Sequence, residues 1–467
     1  MYAASVMVEW LTARQSQVVA DADGYSLSTA AGTPCGKGQP AEPWMRAKVP
    51  GTVLQALIAG GKCPDPFVDM QSTQIGDVGE VGAEAYTHWF CARFKIPKGD
   101  CGDGMRRRSA RAGDVAWLKL GGVNYSLDVY ANGCRLDPGE GWDRGTYLRR
   151  CLKLPGDCPP TGSWYYLAIL VRPPDNFGKI PQGGGQGGDH ALGMDVAPQF
   201  LEGWDWTLAM PDRSTGIWGG VSVSITGPMR LSDAFSRVSF PVDAVVSSQT
   251  VSKALVTCGV TVENATSVPV SAECNLEISH EEDGAVIIDA VAELPAVAMP
   301  PGATDLEFEP QVIGDAKLWW PINMGDQFLY RASISIRPTN SPANTAPSDL
   351  AEFSVGVRVI SSCVDEATGG RLFMVNGRKV FIRGGNYISS EAYLASSPQR
   401  LVDEVRLHAL ANVNMLRMWG GAGIWHPAMM DACDREGILL WLEFWITGDD
   451  DGRGSGDSQC PLDHALW

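Results

Sequence analysis

The segment 371–449 constrains this chain more than any other. Three short apolar runs, VFIRGGN, MLRMWGG and LLWLEFW, alternate with two segments of helical pattern. That rhythm, β-α-β-α-β, calls for a parallel sheet, because parallel neighbours must be joined by long crossover connections. In such sheets the chemistry collects at the C-terminal ends of the strands. Here those ends carry Asn386, Arg417, Trp419, Glu443 and Trp445. Polar and indole groups at three matching strand ends do not suit an apolar core. The segment therefore reads as the start of an active-site barrel, with its third strand shortly before Trp467, where the sequence ends.

The residues before it have a different character. Residues 1–228 hold short apolar runs such as VAWLKLGGV, SLDVYANG and WYYLAILVR, separated by Gly, Pro and Asp clusters. Runs of strand length bounded by turn formers predict a β-sandwich. VPGTVLQALIAGGKCPDPF reads as a turn, a short helix and a second turn. Residues 229–361 alternate like strands in VSKALVTCGVTVENATS and FLYRASISIR, with LWWP marking a late turn. Their length suits one further sandwich. From residue 362 onward the pattern is α/β.

Charge and composition narrow the partners. The net charge is −17, which disfavours nucleic acid and anionic membrane surfaces and suits a neutral ligand. Sixteen Trp residues are many for 467, and indoles serve both as core anchors and as flat platforms for sugar rings. The 12 Cys form no CxxC pair and no Cys/His zinc spacing, so free thiols are expected and no metal or other cofactor is implied. The N-terminus lacks a basic stretch followed by an apolar one, and no run is long enough to span a membrane. The expectation is an intracellular protein, of cytoplasm or vacuole, with no membrane partner.

Several motifs admit two readings. PQGGGQGGDHALG contains GxGxxG at Gly183, Gly185 and Gly188, but no strand leads into it and no helix opens from it, so a flexible loop is expected rather than a nucleotide site. Trp204, Asp205 and Trp206 set a carboxylate between two indoles. They are either a packed sandwich corner or a loop that reaches a neighbouring pocket. Arg417 at a strand end must pair with a carboxylate; it either orients a catalytic Glu or belongs to a structural ion pair. Glu443 is its partner, a substrate ligand or a general acid. Asn124 and Asn264 begin glycosylation sequons, which are read as chance.

Taken together, these motifs resemble a known family. VPGTV, GWDW, TGIW, LWWP, NGRKVFIRGGN and NMLRMWGG resemble, in order, motifs of glycoside hydrolase family 2, in its β-mannosidase branch. GGQGGDH, DRSTGIW, EFWITGD and PLDHAL narrow the resemblance to the endo-acting plant type. The resemblance implies a galactose-binding-like (jelly-roll) β-sandwich at 1–228, an immunoglobulin-like sandwich at 229–361, and at 362–467 the first three strands of a truncated (β/α)8 barrel. It implies retaining hydrolysis of β-mannosides, with an oligosaccharide, N-glycan or glycopeptide as substrate and the Manβ1-4GlcNAc bond as target. The first-sandwich residues Trp204, Asp205 and Trp206 would meet Asn386, Arg417, Trp419 and Glu443 around one sugar subsite.

The same resemblance implies an acid/base Glu after an Asn and a nucleophilic Glu on a later strand. No Asn-Glu dipeptide occurs in the 467 residues, and Glu443 matches neither position. The chain by itself is therefore expected to be inactive. Tyr387 stands where Trp is commoner in the family, and Ala422 where Gly is usual.

Overall fold

The computed structural model describes residues 10–14, 44–95, 113–139, 141–156, 164–179, 191–195, 197–203, 207–295, 299–342, 345–390, 392–420 and 426–444. The first body is made of two facing antiparallel sheets. One has six strands, in the order Met45–Ala47, Trp10–Arg14, His88–Lys95, Trp164–Arg172, Ser126–Ala131, Cys134–Leu136. The other has three: Val221–Thr226, Val115–Leu120, Arg150–Lys153. Alternate residues from both, among them Phe90, Leu118, Leu127 and Ile169, bury one core. The expected short helix is Val53–Ala59. It starts there because the Thr52 side chain caps the backbone of Gln55 while Gln55 returns a bond to Thr52.

The second body also has two facing sheets. Met229–Ser239, Thr250–Asn264, Gly302–Glu307 and Gln311–Lys317 make one; Val286–Leu294, Ala272–His280, Tyr330–Pro338 and Asp349–Val355 make the other. Trp319 and Trp320 of the LWWP run are 1% exposed. So LWWP does more than mark a turn: it fills the base of this core.

Beyond lie two small sheets. Ile360–Val364, Arg371–Val375 and Arg378–Val380 form an antiparallel one. Gly384–Tyr387, Met415–Met418 and Leu439–Leu442 form a parallel one, in that spatial order. The run VFIRGGN therefore does not act as one strand. Its start closes the antiparallel hairpin, and only its end enters the parallel sheet. The crossovers are helices Pro398–Leu410 and Pro427–Glu436. Each opens with a side-chain cap (Ser397, His426) followed by Pro in the first turn, and the second ends at Gly437 in the left-handed conformation. Leu401, Val405 and Ala409, spaced by four, lie on one buried helix face. They pack on Tyr387, Leu416 and Met418, which share one face of the sheet. Among the described residues no helix is long and apolar enough to cross a membrane.

Candidate functional site

Register fixes what stands at the strand ends. Asn386 lies opposite Arg417, and Arg417 opposite Trp441. In-register residues of parallel strands share a face, here the face turned away from the helices. The strands can come this close because residue 384 is Gly: a Cβ there would collide with the carbonyl oxygen of Met415. The close approach is thus to a neighbouring strand. Gly385, by contrast, has open space where a Cβ would stand.

Arg417 joins three of the expected residues. Its Nε–H donates to Glu443 Oε1 at 2.6 Å, and its Nη1 donates to Asn386 Oδ1 at 2.9 Å. The other Glu443 oxygen accepts the backbone N–H of Gly420 at 3.2 Å. Glu443 is one residue past the end of its strand, not within it as its sequence neighbours suggested. Each of its oxygens accepts one of these bonds, so the geometry shows it as the partner of Arg417, and the carboxylate keeps further lone pairs for another donor. The pair is half-buried, with side-chain exposures of 33% and 23%. At that exposure it adds little to stability, about 0–1 kcal/mol. What it supplies is orientation: a guanidinium held in a fixed plane beside the Asn386 amide.

Trp419 follows the second strand, its N–H donating to the Tyr387 carbonyl at 3.3 Å. Its ring packs on a cluster built mainly from the first body: Leu54, Tyr125, Leu201, Met210 and Trp218, with Ile388, Ala392 and Leu394 from the loop after the first parallel strand. This seam is why the first body and the parallel sheet meet at all. The Ser214 Oγ–H donates to the Ala392 carbonyl at 2.6 Å across it. Trp204, Asp205 and Trp206 lie outside the described residues, as do the Gly-rich loop 181–190, Ala422 and Trp445.

The sequence reading missed the polar hub beneath the seam. In DRSTGIW, Asp212, Arg213, Ser214 and Thr215 are all fully buried. Asp212 accepts the N–H groups of Leu54 and Ser214 at 3.0 and 2.8 Å. Arg213 donates to both oxygens of Asp77, at 2.7 and 3.2 Å. Asn124 donates to the carbonyls of Arg213 and Ser214 and accepts from Thr146. The side-chain amide of this sequon Asn is thus wholly engaged inside the fold. The available signal was the run of four polar residues ahead of an apolar strand, which without a tertiary partner reads as a surface turn.

A second network fixes the outer side of the first strand. Tyr387 Oη and Ser390 Oγ both donate to Glu404 at 2.6 Å, and Arg400 does so at 3.0 Å. Burial raises the Glu404 carboxyl, but these donors outweigh it and leave it below the usual range. Tyr387 is thereby an outward anchor, not a pocket residue. Cys63, Cys134, Cys151, Cys258, Cys274, Cys363 and Cys433 are free thiols, and among the described residues no cluster could hold a metal ion.

No family model matches the sequence. The chain is 38% identical over 463 residues to a mannosylglycoprotein endo-β-mannosidase of Lilium longiflorum, covering 98% of this chain and 45% of that protein. It is 26% identical over 441 residues to an exo-β-D-glucosaminidase of Streptomyces avermitilis, covering 92% and 42%. The fold superposes on the crystal structure of an Amycolatopsis orientalis exo-chitosanase with a TM-score of 0.69 at 20% identity, over 99% of this chain and 45% of that one. The chain thus spans somewhat under half the length of the curated relatives it matches. With that likeness running along almost all of its residues, the chain belongs to glycoside hydrolase family 2, in the β-mannosidase branch.

Proposed function

We propose that the chain is the N-terminal part of a retaining β-mannoside hydrolase of endo type, acting on the Manβ1-4GlcNAc bond of N-glycans or glycopeptides. The observation that carries this reading is Arg417, held between Glu443 and Asn386 at the ends of three parallel strands, against an indole-bearing seam. In this reading residues 1–228 are a galactose-binding-like jelly roll and residues 229–361 an immunoglobulin-like sandwich. Residues 362–467 are the first three strands of a (β/α)8 barrel. Trp204, Asp205, Trp206, Asn386, Arg417, Trp419 and Glu443 wall one sugar subsite. Asn386 and Arg417 bind hydroxyls, Trp419 offers a ring face, and Glu443 sets the plane of Arg417.

Retention requires two carboxyl groups about 5 Å apart, one as acid/base and one as nucleophile. Glu443 is committed to Arg417 and Gly420, and no described carboxyl stands beside it as a second catalytic group in the contacts around Arg417. The 467-residue chain therefore binds but does not hydrolyse. Incubating it with an aryl β-mannoside should release no aryl alcohol above the uncatalysed rate; turnover that disappears in Glu443→Gln would overturn the assignment. An exo-acting β-mannosidase or β-glucosaminidase is the second reading, supported by the likeness to the Streptomyces enzyme. Calorimetry separates the two, since a glucosamine-terminated ligand binding more tightly than a mannose-containing one would favour it.

A further inference from the structure

The segment CPDPFVDM, at 63–70, plays no part in the fold so far described, yet it is firmly built. Pro64 and Pro66 bracket Asp65, fixing the backbone on both sides. The Asp65 side chain accepts the Phe67 N–H at 3.0 Å, and its carbonyl accepts that of Val68 at 3.2 Å. The Met70 carbonyl accepts from Thr73 through both N–H and hydroxyl, at 3.1 and 2.7 Å. Both ends are pinned, because Cys63 and Ile75 pack into the seam cluster. A loop so tied could bury its apolar side chains. Instead it holds out three of them: Phe67 is 55% exposed, Val68 44% and Met70 71%. Adjacent exposed apolar groups on an ordered loop mark a contact surface.

Their place identifies the surface. The Phe67 ring meets Tyr393 edge to face, with centroids 5.3 Å apart. Tyr393 belongs to the loop leaving the first parallel strand, just beyond Asn386, and it packs in the same seam as Trp419. The apolar rim thus stands against the loop that leaves the strand end carrying Asn386. The charges on the loop are Asp65 and Asp69, which disfavour an anionic ligand and suit hydroxyl donors.

We propose that Phe67, Val68 and Met70 form a binding subsite for a second pyranose ring of a neutral oligosaccharide whose mannose occupies the Arg417 pocket. The C–H face of a pyranose is flat and apolar, which matches a phenyl ring and a thioether, while its hydroxyls face solvent and Asp69. This inference rests on the glycan-binding reading above.

The test is calorimetry on the full 467-residue chain with methyl β-mannoside and with a trisaccharide containing Manβ1-4GlcNAc. The trisaccharide should bind more tightly than the monosaccharide. Phe67→Ala should weaken the trisaccharide by about tenfold, as expected for returning roughly 50 Å² of apolar surface to water, and leave the monosaccharide unchanged. Phe67→Trp, which keeps a ring at the site, should restore the trisaccharide affinity. Arg417→Met should weaken both ligands. If Phe67→Ala leaves the trisaccharide affinity within twofold, the subsite is refuted and the pocket reading stands. If the unaltered chain binds neither ligand, both readings fall.

Discussion

Asp212 shows what burial does to a single carboxyl. Desolvation pushes it up to about 7, against the pull of the Leu54 and Ser214 N–H groups and of Arg213. The folded chain therefore binds a proton that the unfolded chain has released between about pH 4 and 7, so stability falls as pH rises through that window. The loss is on the order of a few kcal/mol. His88 acts in the opposite sense, since burial holds it down to about 3 and the unfolded chain takes up its proton first as pH falls below about 6.5. Comparing the chain with Asp212→Asn cancels the His88 contribution. In urea melts the variant should be the less stable at pH 5, because one buried donor loses its acceptor, and the gap should narrow by pH 8. A gap that is the same at both pH values would show that Asp212 does not titrate in the folded state. The residue scale was also where sequence reasoning was weakest. Arg417 and Glu443 were legible as a pair because strand ends demand it. That Glu443 also accepts the Gly420 N–H is something no spacing announces.

At the scale of elements the sequence spoke more clearly. Both crossover helices could be read from their caps, their Pro at the first turn and their four-residue apolar spacing, all of which act locally. The first parallel strand was harder, because VFIRGGN has one apolar character but two sheet partners. Gly384 is the point at which the second pairing becomes possible. Gly384→Ala should force the first and second parallel strands apart, costing about 1–3 kcal/mol through overpacking. Hydrogen exchange at Asn386 and Met418 should then quicken relative to exchange in the two sandwiches. Unchanged protection there would mean that the strand pairing tolerates a methyl group, against the collision with Met415.

Across the whole molecule, the parallel sheet is held from two sides. From the first body come the seam around Trp218 and the Ser214–Ala392 bond. From the second, Trp319 donates to the Asp434 carbonyl at 2.7 Å, Arg358 pairs with the Asp434 side chain at 3.2 Å, and Ile322 donates to the Gly437 carbonyl at 2.8 Å. Trp441, Leu442 and Phe444 remain between 41% and 56% exposed. Three strands with this support removed have too little buried area to offset the entropy of ordering them. Residues 362–467 expressed alone should therefore be poorly ordered, while in the full chain the helices 398–410 and 427–436 exchange slowly. Strong, cooperative protection in the isolated piece would contradict this. Sequence by itself determined the β, β, α/β succession, the presence of two crossover helices and the polar residues at the strand ends, because period and turn formers act over a few neighbours. Tertiary structure alone decided which body touches the strand ends, which groups bond to Glu443, and why a polar run such as DRST is buried. Those answers rest on contacts between residues more than a hundred positions apart, such as Ser214 with Ala392, and local pattern carries no record of such pairings.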